Sequence, residues 1–126
     1  MPDYLASSEA DEPIEIPGTG GKTVTFKTCA SYADELACDI AGFQGPDQET
    51  RLSSYFLART VRMILAWELE DAAGAPLPIS PDSLRGLKAN VGKFLEDEAR
   101  VRFEGRPEED ERPFERPSSP LSVAAG

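Results

Sequence analysis

The sequence contains no histidine, two cysteines and one tryptophan, and its 13 lysines and arginines are outnumbered by 23 acids. Each scarcity removes a class of function. Without histidine there is no imidazole base, which excludes Ser-His and Cys-His nucleophile systems. Cys29 and Cys38 lie nine residues apart with no CxxC pair, too few ligands for a zinc site. A disulfide between them is open in principle, but reduced, buried thiols are the commoner state in an acidic chain of this kind. The net charge of −10 argues against nucleic acid as a partner, because holding a phosphate backbone relies on Lys and Arg displacing counterions. It equally disfavours an anionic membrane surface. No stretch approaches the roughly 18 apolar residues of a membrane span, and no basic-then-apolar leader opens the chain. The expectation is a protein that works in a cytosol.

A nucleotide grip is also missing, although "IPGTGGKTVTFK" imitates one. A P-loop places a glycine five residues before its Gly-Lys-Thr; for Gly21-Lys22-Thr23 that position is Ile16. The following Thr23-Val24-Thr25-Phe26 is β-branched and alternating, a strand rather than a phosphate-capping helix. The stretch reads instead as a hairpin over 14–27, Ile14-Glu15-Ile16 against Val24-Thr25-Phe26, connected by Pro17 to Lys22. An exposed hairpin edge is a template for another chain, hence a possible site of self-association.

What remains is one domain of 126 residues with a modest core. Residues 1–13 and 105–126 are rich in acid, proline and serine and poor in apolar side chains, so both read as flexible tails around a folded segment 14–104. Ser31 caps a first helix over about 31–41, with Leu36, Ala37 and Ile40 as its buried face, Cys38 at the edge of that face and Gly42 as its end. Asp47 and Glu49 open a second helix over about 47–68. Its stripe runs Leu52, Tyr55, Phe56, Thr60, Met63, Ile64 and Trp67, leaves Arg51, Arg59 and Arg62 outside, and is widened by Leu57, Val61 and Leu65 for packing on two sides. Asp71 to Gly74 reads as a turn and Pro76-Leu77-Pro78-Ile79 as extended chain. Ser80-Pro81 opens a third helix over about 81–103, burying Leu84, Leu87, Val91, Phe94, Leu95 and Val101, with Gly86 and Gly92 permitting close contact or marking a bend. The fold class predicted is mainly α with a small N-terminal β-hairpin (α+β), about three helices packed as a small bundle.

Acidic groups cluster at Glu68/Glu70/Asp71, Glu96/Asp97/Glu98 and Glu108 to Glu111, at helix ends, on solvent faces or in the tail, where they read as solvated rather than catalytic. The sequence therefore predicts no enzyme, no cofactor and no metal. Trp67, Tyr55 and Phe56 have two readings, as core or as anchors for a partner.

Residues 61–87, "VRMILAWELEDAAGAPLPISPDSLRGL", resemble the tail assembly chaperones of long-tailed, siphovirus-like bacteriophages. The resemblance rests on Trp67, Leu69, Asp71, Gly74, Pro76-Leu77-Pro78, Ser80, Leu84 and Leu87. The small size, the acidity and the polar tail agree with it, while the length of the acidic, proline-rich tail departs from it. The resemblance implies a non-enzymatic assembly factor of the host cytoplasm. It would bind the tape-measure protein, keep that long apolar helical chain soluble, and help recruit tail-tube subunits. Trp67, Leu84, Leu87 and Val91 are then candidates for accepting client helices in a groove, with Tyr55 beside them. A structural virion component, such as a small head-tail or tail adaptor, is the alternative, and a small regulatory module a third.

Overall fold

A computed structural model describes residues 4–7 and 9–105, so the tail expected over 105–126 lies, but for Gly105, outside the described residues. Among the described residues there are three strands and four helices, an α+β fold. Strands β1 (Ile14–Glu15), β2 (Thr23–Phe26) and β3 (Ile64–Trp67) form an antiparallel sheet in that order. The helices are α1 (Tyr32–Ala41), α2 (Gln48–Met63), α3 (Pro81–Arg85) and α4 (Ala89–Phe103).

The hairpin forms as its residues require, with Ile14 opposite Val24 and Glu15 opposite Thr23. Gly18, Gly20 and Gly21 all take positive φ in the connection, which side chains resist, and the Thr19 hydroxyl closes it by donating to the Ile16 carbonyl at 2.6 Å. The motif that imitates a phosphate grip is therefore a turn. Val24, Phe26 and Ile16 point into the core. The β2 edge of the hairpin is covered, while β1 remains the outer strand of the sheet. β2 is the central strand, with β3 on one side and β1 on the other, where residues 9–11 continue the pairing past the end of β1. Asp11 donates its N–H to the Phe26 carbonyl at 2.9 Å, and Ala10 bridges Lys27. Of the segment expected to be flexible over 1–13, residues 9–11 are docked in this way. Arg102 of α4 fastens them, its guanidinium 2.7 Å from Asp11, 2.9 Å from Glu98 and 4.8 Å above the Phe26 ring.

The second helix is shorter than its stripe suggests. It is capped by Asp47, which accepts from the Thr50 N–H at 2.8 Å, and ends at Met63. Ile64 turns extended and Ile64–Trp67 joins the sheet, with Phe26 opposite Ile64, Thr25 opposite Ala66 and Val24 opposite Trp67; Leu65 is the extra, bulged residue. The reason is tertiary. Unpaired, β2 would expose its N–H and C=O groups along one side, and β3 supplies their partners.

The third predicted helix is two. Gly86 ends α3, and Lys88, extended, restarts the chain as α4 without a side-chain cap. The α2 helix lies between α1 and α4, as a two-sided apolar face requires. One core runs through Ile16, Val24, Phe26, Met63, Ile64, Leu69, Leu84, Val91, Leu95 and Ala99.

The orientation of α1 is the largest correction. Leu36 and Ile40, expected inside, are 43% and 62% exposed, while Asp34 and Cys38 are buried. Asp34 is 1% exposed and ionically paired with Lys27 and Arg62. It also completes a capping box with Ser31. Two cations and a backbone N–H compensate the buried carboxylate, and this pins α1 with its apolar side outward.

Candidate functional site

The stretch Val61 to Leu87 folds as one continuous corner. After β3 the chain turns back at Asp71, whose Oδ1 accepts from the N–H groups of Ala73 and Ala75, both at 2.9 Å. Gly74 supplies the positive φ of this turn. The Leu77 N–H then donates to the Leu69 carbonyl at 3.0 Å, and the Trp67 indole N–H donates to the Leu77 carbonyl at 2.7 Å. Leu69 anchors the returning chain in the core. Ser80 caps α3 by accepting from the Ser83 N–H at 3.2 Å, and Pro81 occupies its first turn.

This corner delivers Leu84 and Leu87 to a groove of about 500 Å³ whose other wall is α2. Phe56 and Leu57 line the α2 side; Lys88 and Lys93 stand on the α4 side, with Glu96 further along. The groove is thus apolar in its walls and locally basic in a chain of net charge −10.

The five residues proposed from sequence for partner binding do not share one surface. Leu84 and Leu87 line the groove, although Leu84 is itself buried. Val91 is buried in the core, 5% exposed. Trp67 sits on β3 rather than on a helix, half-buried, with its N–H already occupied. Tyr55 is on the opposite flank of α2, where it lines a separate concavity with Gly42, Phe43 and Leu52. Burial raises the Tyr55 hydroxyl pKa above its ordinary value.

Sequence reasoning missed two features. One is the exposed set Tyr32, Leu36, Ile40, Phe43 and Leu52. Its signal is the four-residue spacing of Tyr32, Leu36 and Ile40, set against Asp34 and Cys38 two positions on. The other is Arg59, read as outside the helix stripe but only 5% exposed. Its guanidinium lies 4.9 Å over Phe56 and 3.9 Å from Glu104, and its Nε has no hydrogen-bond partner among the described residues. Cys29 and Cys38 are unbridged, and burial raises the Cys38 pKa, which keeps it a protonated thiol.

Among the described residues no group of three or more Cys, Asp or Glu could hold a metal ion, and no helix is long and apolar enough to cross a membrane. Comparison of the chain with protein-family models, with curated proteins and with solved structures finds no match.

Proposed function

We propose that this chain is a tail assembly chaperone of the long-tailed bacteriophage type, acting without catalysis in the host cytoplasm. Its client is the tape-measure protein, and it helps bring tail-tube subunits to the coated client. The observation that carries this reading is the groove at the α2–α3 corner. The residues of the phage-like stretch, Trp67 through Leu87, build its support, and Leu84 and Leu87 at the end of that stretch form one wall. Such a groove accepts one apolar side of a helix, with side chains recurring every three to four residues. Lys88 and Lys93 favour acidic residues beside that apolar side, and the net charge of −10 keeps a coated client soluble.

Co-expression tests it. The tape-measure protein encoded beside this chain should stay soluble and co-purify with it, and Leu87→Lys should abolish co-purification while the circular dichroism spectrum is kept. Equal aggregation with and without the chain overturns the reading.

A further inference from the structure

The α1 helix carries its apolar stripe on the side turned away from the core. Tyr32, Leu36 and Ile40 recur every fourth residue, and Phe43 continues the line in the turn after the helix, its N–H bonded to the Ile40 carbonyl. Phe43 is 77% exposed, and across a shallow concavity it faces Leu52 of α2, also exposed. Five large apolar side chains in one contiguous patch exceed the scattered apolar residues of an ordinary surface. Aromatics bury on the order of 150–250 Å² each when covered. With two of them, this patch can supply the apolar centre of an interface of about 800 Å² per partner.

We propose that this patch pairs with the same patch on a second copy of this chain, α1 against α1 in antiparallel orientation about a two-fold axis. The charges around it select that occupant. Glu35 and Asp39 flank the Tyr32–Ile40 stripe, and Arg51 lies at its Phe43 end, lining the same concavity as Leu52. Its Nε donates to the Gly45 carbonyl at 3.2 Å, which holds the guanidinium at that end. An antiparallel pair sets the Phe43 end of one copy over the Tyr32 end of the other. Arg51 of each copy then faces Glu35 of the second, twice by symmetry, as an isologous interface demands. A partner helix of one sign would meet both signs here; the patch is complementary to itself. At about 0.15 M salt the Debye length is about 8 Å, so the long-range repulsion between two acidic chains is screened while the close Arg–Glu pairs persist. The patch lies across α2 from the groove, so pairing leaves the groove open, and the inference stands independently of the proposed client.

Sedimentation of the full chain at about 0.15 M salt, from about 1 to 300 μM, covers the affinities typical of weak and standard-size interfaces. The expected result is reversible dimerisation. Ile40→Lys and Phe43→Glu should each leave a monomer with unchanged circular dichroism and melting temperature. The milder Ile40→Ser serves if either charged variant fails to fold. Arg51→Glu should weaken dimerisation by about tenfold, and Arg51→Glu combined with Glu35→Arg should restore it to within about threefold of the parent. A parent chain that stays monomeric throughout overturns the proposal and leaves the patch to the chain's own tail or to another protein. A dimer indifferent to Phe43→Glu, or a charge swap that restores nothing, overturns it equally.

Discussion

Asp34 on α1 and Arg62 on α2 meet at 2.9 Å across 28 residues of sequence, and Lys27 reaches the same carboxylate at 2.9 Å from just beyond β2. This one acid joins the sheet to two helices. Burial pushes its pKa up, but the Ser31 N–H, Lys27 and Arg62 more than offset that, and the net direction is down. A depressed pKa contributes stability that is present above the unfolded-state value of about 4 and is lost as pH falls through the folded-state value. Asp34→Ala should cost about 2–3 kcal/mol in urea denaturation at pH 7. That is below the roughly 3–5 kcal/mol for a fully buried pair, because Arg62 is 42% exposed. Asp34→Asn should cost less and should flatten the loss of stability as pH falls below about 4.

Arg59 should respond to shape more than to charge. Its guanidinium is buried against Phe56 and Phe103, and its Nε has no partner among the described residues. Arg59→Met, which keeps the length of the side chain and removes the buried charge, should change stability by less than about 1 kcal/mol in either direction. Arg59→Ala should lose about 2 kcal/mol through the vacated packing. Thermal denaturation of the two variants separates these terms, and equal losses would mean that the charge is what matters.

Trp67 reports on the corner that supports the groove. Trp67→Phe removes the donor to the Leu77 carbonyl and should cost about 1 kcal/mol. As the only tryptophan, Trp67 should shift its fluorescence to the red on unfolding, in step with the far-ultraviolet signal if the domain unfolds as one unit.

Gly45 sets the entry to α2. Its φ is +119°, and an added Cβ would lie 2.6 Å from the Thr50 Cγ2. Gly45→Ala should therefore cost about 1–3 kcal/mol by chemical denaturation, through strain and clash together. A Gly45→Ala chain as stable as the parent would contradict this backbone.

The elements legible in the sequence are those closed by local chemistry. Ser31, Asp47 and Ser80 each cap the helix they precede, the Asp71–Gly74 turn forms where Asp and Gly predict it, and the glycines after Pro17 make the hairpin. The strand at Ile64–Trp67 was not legible: the helical stripe through Met63, Ile64 and Trp67 runs on with no glycine or proline to break it, which carries the predicted helix to 68. The candidate surfaces were less legible, because burial sorts residues that periodicity treats alike. Val91 and Leu87 sit on one predicted face, yet one is core and the other lines the groove.

By itself the sequence determined the α+β class, the caps and turns, and the absence of imidazole chemistry, since each depends on residue types or on neighbours within a few positions. Only the tertiary structure decided that α2 gives way to β3, that β2 is central, and that α1 turns its apolar stripe outward. Those outcomes depend on partners far apart in the chain: Thr25 with Ala66, Phe26 with Asp11, and Asp34 with Arg62. A buried carboxylate needs its two cations more than an apolar stripe needs cover, and that balance is struck only once the chain has folded.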